Sequence, residues 1–349
     1  SLWGYPANDL LFKKNLIKNQ YQILDQLALD INKKYGNLSI SIGIAEKVND
    51  SFFPNLYNSI ALVEGGEWKI IARKIILPTY EVFDEKRYFR SEEKVSVLIK
   101  QIKNKTWRLG FTICEDLWVN KDIEGRGIHK KNPIIDLKKK KVDILVNLSA
   151  SPYTLKKLEL RSKVSSFAAQ YLQVPLIYVN QIGANDNLIF DGNSFILDKN
   201  GSKIKQLKSF SEDLSSWDIE QTKPQKNKFE KSEMSSIFDA LVLGVKDYAK
   251  KCGFKTALVG LSGGIDSALV SAIATAALGS DNVYCVSMPS KWSSSHSKSD
   301  AKDLARRLKI SFKSIPIENL MTSFEESFIK TISFEMAEIT NQNIQSRIR

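Results

Sequence analysis

From Leu16 the apolar residues Leu16, Ile17, Tyr21, Leu24, Leu27 and Ile31 recur every three or four positions. That period lines one face of a helix, and Gly36 supplies the stop. The period then changes. Residues 39–46 (SISIGIAE) and 58–64 (NSIALVE) alternate or run apolar as strands do, and the turn EGGE joins the second to WKIIARKI. RLGFTIC (108–114) reads as a buried strand. It is followed by the strand VDILVNLSA (142–150), a helix from about Leu155 to Leu172, and the strands PLIYVNQIG and SFILD. Strands outnumber helices here, so residues 1–210 are expected to form a layered α/β domain.

Residues 211–232 lose apolar periodicity and gather Ser, Lys, Gln and a Pro, as an exposed linker between domains does. A second domain is expected over 233–349. Its order is a helix (about 233–251), the strand TALVGLS, a helix from Ile265 to Leu278, the strand NVYCVSMP, a helix from Ser297 to Leu308, and the strand SFKSIPI. Strands alternating with helices of this length predict a parallel, doubly wound sheet.

Composition narrows the function classes. A chain of 349 residues, 43% hydrophobic and 26% charged, can bury the cores of about two domains. No run of 18 apolar residues occurs, and SLWGYPANDL lacks the regions of a signal peptide, so a soluble cytoplasmic protein with no membrane partner is expected. Cys114, Cys252 and Cys285 show no CxxC spacing, and His129 and His296 are the sole histidines, which excludes a thiolate zinc site or multi-histidine centre. The net charge of +12 raises nucleic acid as a partner. Its one tight cluster, Lys138 to Lys141, precedes a strand and reads as a solvated turn, so the excess is assigned to surface and to attraction of anionic substrates, and no nucleic acid is expected. The chain starts without Met and stops inside a helical pattern, and it reads as truncated at both ends.

Two segments carry chemistry. In LVGLSGGIDSALVSA (258–272) a strand delivers the chain into Ser262, Gly263, Gly264, Ile265, Asp266 and Ser267, where a helix starts. Glycines let backbone N–H groups approach an anion, the helix N-terminus adds partial positive charge, and the serines add hydroxyl donors. A tight turn with a helix-favoured Asp is the bland reading of the same residues. The loop lacks the lysine of GxxxxGK[ST]. Cys114, at the end of GFTIC, is the second candidate: a nucleophile at a strand end projects from the sheet, and Lys74, at the end of WKIIARK, could supply a cation for an oxyanion. On their own these two residues fit a packed structural thiol and a surface lysine more readily than a catalytic pair.

SGGxDS resembles the pyrophosphate loop of the ATP-pyrophosphatase family. KIILPTYEVFDEKRYF (74–89), GFTICEDLW (110–118) and NLSASPY (147–153) resemble three successive segments of the nitrilase-type glutaminase domain fused to NAD synthetases. MPSKWSSSHSKSDA (288–301) and ITNQNIQSRIR (339–349) resemble the synthetase domain of the same glutamine-dependent family. The resemblance spans nearly the whole chain. It implies a nitrilase-like αββα sandwich followed by a Rossmann-like sheet, and a Glu-Lys-Cys triad in which Cys114 is nucleophile, Lys74 the lysine and Glu85 a supporting glutamate. The general-base glutamate of the triad aligns just upstream of Ser1. Glutamine contacts carry over to Tyr80, Glu115 and Ser151, and ATP contacts to Ser262, Gly263, Gly264, Asp266 and Ser267. Asp266 is the implied Mg2+ ligand, and Asn343, Arg347 and Arg349 match a helix that faces the deamido-NAD+ nucleotide. Asn341 and Gln342 depart from the acidic residues common there. The implied reaction takes glutamine, ATP and deamido-NAD+ as small-molecule substrates, in a homo-oligomer when full length. Cys252 and Cys285 match no catalytic position and are assigned to packing. Of the rivals, a GMP or asparagine synthetase carries no nitrilase-like glutaminase and lacks the resemblance over 288–301, a tRNA-modifying enzyme of the same nucleotide-binding family fits the basic charge but no RNA-binding segment is evident, and a non-enzymatic binding module is favoured only by truncation.

Overall fold

The computed structural model describes residues 2–48, 52–119, 131–219, 232–332 and 338–349. Contacts divide the chain into two compact units, residues 1–233 and 234–349. The expected linker falls largely on 220–231, and His129 on 120–130, both outside the described residues.

The first unit opens with helix α1 (Lys14–Tyr35) and the strands β1 (Ile40–Lys47), β2 (Leu56–Glu64), β3 (Glu67–Arg73) and β4 (Phe89–Arg90). β1, β2 and β3 form an antiparallel meander, and β4 adds to β2 in parallel. The positive φ of Gly65 (61°) and Gly66 (87°) makes the tight β2–β3 turn. Next come β5 (Val97–Ile102), β6 (Lys105–Ile113), helix α2 (Pro133–Lys139), β7 (Ile144–Ser149), helix α3 (Lys157–Leu172), β8 (Leu176–Asn180), β9 (Ile182–Asn185), β10 (Leu188–Asp191), β11 (Phe195–Leu197) and β12 (Lys203–Gln206). A six-stranded sheet runs β12-β11-β8-β7-β6-β5, parallel at β6, β7 and β8, while β9 and β10 make a separate hairpin.

Packing explains the layers. Leu24 and Ala28 of α1 bury against Ile44, Ala61 and Val63 on the outer face of the first sheet. Ile60 and Ala72 on its inner face meet Phe111 and Ile113 of the second sheet. The outer face of that sheet is covered by Leu137 of α2 and by Val164, Ala168 and Leu172 of α3. Alternation along β2 and β6 thus builds the αββα sandwich.

Several elements differ from the sequence reading. The strand read from residue 108 begins at Lys105, because it pairs with β5, an element that carries no Gly or Pro signal at its turn; Lys103 takes the left-handed conformation there at φ 53°. Lys138 and Lys139 close α2, whose start is marked by Asn132 capping Ile134 and Ile135 and by Pro133 at the first helical position. Only Lys140 and Lys141 form the turn.

The second unit comprises α4 (Glu233–Cys252), β13 (Ala257–Gly260), α5 (Ile265–Leu278), β14 (Val283–Ser287), α6 (Ser295–Leu308), β15 (Ser311–Ser314), α7 (Glu318–Ile332) and α8 (Glu338–Ile348). Its three strands are parallel in the order β13-β14-β15, with α5 and α6 as the crossovers, as in one half of a doubly wound sheet. Leu261, Ala274, Val283, Cys285, Ala301 and Ala305 form the core between sheet and helices. Cys285 is therefore a packing residue, whereas Cys252 is exposed at the end of α4, contrary to its assignment to packing. No helix among the described residues is long and apolar enough to cross a membrane.

Candidate active site

β6 ends at Ile113, and Cys114 turns sharply into a 3-10 segment, Cys114–Leu117, with φ 46°. A non-glycine residue in this region costs energy and persists only where its surroundings hold it. The holding group is Asp116, buried two residues further on. Its Oδ1 accepts from Ile75 N (3.1 Å) and Ile76 N (2.8 Å), and its Oδ2 from Ile113 N (3.0 Å). One carboxylate thus ties the segment after Lys74 to the turn that presents Cys114.

Lys74 follows β3 directly and is buried. Its Nζ donates to Glu85 Oε1 at 2.7 Å, and Glu85 sits buried in a 3-10 turn, Glu85–Arg87. Tyr5 OH donates to the same oxygen at 2.7 Å. Burial alone would push the Lys74 ammonium down, but the charges of Glu85 and Cys114 and the Glu85 hydrogen bond outweigh it and hold its pKa above the ordinary lysine value. Burial pushes the Cys114 thiol up, against the pull of Lys74. Attack on a carbonyl by this cysteine therefore calls for a base.

Burial also raises Asp116 from 3.8 to about 6, despite its three N–H partners. The sign follows: between about 4 and 6 the folded protein holds a proton that the unfolded chain has released, so this group stabilises most below about 4 and loses that contribution as pH rises through 6. Asp116→Asn is expected to remove this decline. Urea unfolding at pH 4, 5, 6 and 7 checks it: the difference in stability between wild type and variant should change with pH in that window, and a constant difference would refute the assignment.

Cys114, Lys74, Glu85 and Tyr5 line one cavity of about 270 Å³, together with Ser149 and Asn180. Tyr80, Glu115 and Ser151 are not among its lining residues. Tyr80 OH donates to Glu115 Oε2 at 2.8 Å, and Glu115 is buried next to Cys114 in the chain. Ser151 N donates to Asn180 Oδ1 (2.9 Å), and its Oγ accepts from Arg161 Nε (3.2 Å). Arg161 is buried and paired with Asp191 at 2.6 Å, which fixes the loop that carries Ser151. Tyr5, Asp116, Ser149 and Arg161 went unread in the sequence. Asp116 had a signal, a carboxyl two residues after the cysteine; the others depend on long-range pairing.

In the second unit Gly263 has φ 89°, and a Cβ there would lie 2.2 Å from Ser297 O. The loop is thus pressed backbone to backbone against α6. Ser262 Oγ accepts from Gly264 N (3.2 Å), and Ser267 Oγ accepts from Ser262 N (3.2 Å) and donates to Gly264 O (2.9 Å). These bonds fold Ser262 to Ser267 around the N-terminus of α5. A cavity of about 590 Å³ opens beside them, lined by Ser262, Gly264, Trp292, Ser297, Lys298 and Arg349. Arg349 Nε donates to Met288 O at 3.1 Å. Asn343 and Arg347 are exposed and do not line this cavity, while Gln345, unread in the sequence, does. Their spacing on α8 explains it: one turn of helix brings Gln345 and Arg349, four apart, to the same face. His296 is exposed. Among the described residues no group of three or more His, Cys, Asp or Glu could cage a metal. Asp266 is exposed in the first turn of α5, and neither it nor Gly263 or Ser267 lines the cavity; a single exposed carboxylate is compatible with Mg2+ shared with phosphates, since that ion uses few protein ligands.

The carbon-nitrogen hydrolase family model matches residues 28–226, more than half of the chain. The chain belongs to the carbon-nitrogen hydrolase family. The NAD synthase family model matches residues 237–349. The glutamine-dependent NAD(+) synthetase of Synechocystis is 41% identical over 360 residues, covering 100% of this chain and 63% of that protein. That of Acinetobacter baylyi is 35% identical, covering 100% and 61%. A solved glutamine-dependent NAD+ synthetase from Acinetobacter baumannii, in complex with ADP, superposes with a TM-score of 0.84 at 34% identity over 99% of this chain and 62% of that one. One from Cytophaga hutchinsonii shares the fold, with a TM-score of 0.77 at 19% identity over 99% and 63%. The chain spans about three fifths of the length of the relatives it matches.

Proposed function

We propose that the chain carries the glutaminase half and the ATP-binding part of a glutamine-dependent NAD+ synthetase, a carbon-nitrogen ligase. The observation that carries this reading is the presence in one chain of the Cys114, Lys74 and Glu85 cluster and the Ser262 to Ser267 loop. Cys114 Sγ attacks the side-chain amide carbon of glutamine. The oxyanion forms beside the Lys74 ammonium, a general base carries the thiol proton to the departing nitrogen so that ammonia leaves as the thioester forms, and water, deprotonated by the same base, then releases glutamate and the thiol. Glu85 keeps Lys74 charged and aimed, and Tyr5 orients Glu85. Tyr80, Glu115 and Ser151 are assigned to the glutamine by resemblance alone, since none of them lines the cavity beside Cys114. The pairing of Tyr80 with buried Glu115 favours the α-ammonium end, which carries positive charge.

In the second unit the N-terminus of α5 and the Ser262 hydroxyl, which lines the cavity together with Arg349, bind the pyrophosphate of ATP, while Ser267, outside that lining, holds the loop through its bonds to Ser262 N and Gly264 O. Asp266 would hold Mg2+, which neutralises phosphate charge when bound. Asn343 and Arg347 are assigned to the dinucleotide rather than to the ATP cavity. The deamido-NAD+ carboxylate displaces pyrophosphate from ATP to give an adenylate, and ammonia displaces AMP, yielding NAD+. The protein acts on small molecules in the cytoplasm as a homo-oligomer.

Gly263→Ala is expected to weaken ATP binding at least about tenfold, because a Cβ must enter the backbone of α6 at a positive φ that costs about 1–3 kcal/mol. Calorimetric titration of the intact protein with ATP reads it, and the far-ultraviolet circular dichroism and urea midpoint of the variant serve as the folding control for the unit of residues 234–349. Unchanged affinity would remove the loop from the nucleotide site. Cys114→Ala, treated below, tests the reaction itself.

A further inference from the structure

Segment 288–294 joins β14 to α6 and walls the nucleotide cavity with Met288, Trp292 and Ser293. α8 brings Gln345 and Arg349 to the same cavity. Side chains join the two. Arg349 Nε donates to Met288 O at 3.1 Å, and its Nη2 to Ser293 Oγ at 3.3 Å. The Gln345 amide bridges Arg349 and Ser290. A guanidinium only donates, so the amide atom that faces it is assigned as the oxygen. That oxygen accepts from Arg349 Nη1 and Nη2, each at 2.9 Å, and the amide nitrogen donates to Ser290 Oγ at 3.1 Å.

These contacts use up the guanidinium. Its five N–H groups lie in one plane and form two edges that can grip a pair of acceptors, Nε with Nη2 and Nη1 with Nη2. The first edge holds Met288 and Ser293, and the second holds Gln345. One N–H from Nε, one from Nη1 and two from Nη2 are thus engaged, which leaves one of the five. A phosphate gripped by two parallel N–H groups needs a whole edge, and neither is open. On the side of the segment the anchor is firm. Ser290 is buried, and its Oγ also accepts from Trp292 N at 3.3 Å. Ser290 N donates to Ser293 Oγ at 3.0 Å, and Ser293 N to Ser290 O at 3.1 Å. The turn that carries Trp292 is therefore tied to itself and pinned to α8 at Met288, Ser290 and Ser293.

We infer that Gln345 and Arg349 form a clasp that fixes segment 288–294 in the shape that walls the cavity, and that Arg349 is a positioning residue rather than a phosphate contact. The resemblance puts Arg349 on a helix facing the nucleotide. Its place beside the cavity agrees with that, but its donors are spent on the protein. The clasp makes a demand on residue type at each position. Residue 349 must offer two edges of donors, which a lysine does not have, and residue 345 must accept from Arg349 while reaching Ser290. The inference rests on the reading of this cavity as the ATP site.

The test reads hydrogen–deuterium exchange of the peptide spanning 288–294 in the intact, nucleotide-free protein, with calorimetric ATP titration of the same variants. Gln345→Leu and Arg349→Ala should each speed exchange of that peptide about three- to tenfold, as loss of one or two hydrogen bonds does. The double variant should gain less than the product of the two, since each side chain holds the other. Gln345→Glu should restore the wild-type rate, because its carboxylate accepts both from Arg349 and from the Ser290 hydroxyl. Arg349→Lys keeps the charge and should still bind ATP as weakly as Arg349→Ala. Unchanged exchange in both single variants, or effects that multiply in full, would overturn the clasp. So would recovery of ATP affinity in Arg349→Lys while exchange stays fast, which is the behaviour of a direct phosphate contact. Arg349 is exposed, so its replacement leaves the core intact and that arm stands even where Gln345→Leu fails to fold. Wild-type protein that binds no ATP would remove the nucleotide reading, and the exchange rates would still decide the clasp.

Discussion

Cys114→Ala in the intact protein is expected to lower glutamine hydrolysis by on the order of 10⁶-fold and to leave NAD+ synthesis from free ammonium near wild type. The size follows from the chemistry: Lys74 can polarise a carbonyl, but with no sulfur there is no covalent acceptor for the acyl group. Selectivity follows from the architecture. Cys114 belongs to the unit of residues 1–233, and the phosphate loop to that of residues 234–349, with its own core around Cys285. Side-by-side assays of glutamate release, and of NAD+ formation with ammonium, read both halves. Glutamine hydrolysis surviving in the variant would remove Cys114 from the reaction.

Lys74→Met should lower thioester formation by about 10² to 10³ through loss of the oxyanion donor alone, and further through loss of the cation that favours the thiolate. The structure adds a second consequence. Lys74 and Glu85 are a fully buried pair, and removing one member leaves a buried carboxylate whose isolation costs about 3–5 kcal/mol or forces it to take a proton. Lys74→Met is therefore destabilised as well as slow. Adding Glu85→Gln should recover most of the stability and none of the rate, which separates the two roles. Rapid-quench measurement of the acyl-enzyme, with urea unfolding alongside, checks both. Recovery of the rate in the double variant would show that Lys74 acts only through folding.

The elements that depend on period were legible in the chain. Ile265 to Leu278 is a helix as read, since its start is marked by two glycines and its end by Gly279. β5 and β12 were not: each lies at an edge of its sheet, β5 has apolar residues but no Gly or Pro at its turn, and β12 has a single apolar residue, Ile204. Around the candidate site, Cys114 and Lys74 stood at strand ends, a position that fits a packed thiol and a surface lysine as well, and the resemblance supplied their roles. Glu85 came from resemblance, and its geometry with Lys74 depends on a turn eleven residues away. Tyr5 and Arg161 act through partners 80 and 30 residues distant, Glu85 and Asp191, and no local pattern encodes such a pair. On α8 the resemblance supplied Asn343, Arg347 and Arg349 together, and of these Arg349 lines the cavity, with Gln345 one helical turn before it.

The most direct test of coupling between the two halves is isotope transfer. The intact protein is supplied with glutamine labelled with 15N at the side-chain amide, ATP, Mg2+ and deamido-NAD+, and the products are read by mass spectrometry. 15N is expected in the carboxamide of NAD+, with one AMP and one pyrophosphate per NAD+ formed. ADP in place of AMP, or label confined to free ammonium while NAD+ fails to form, would contradict that coupling.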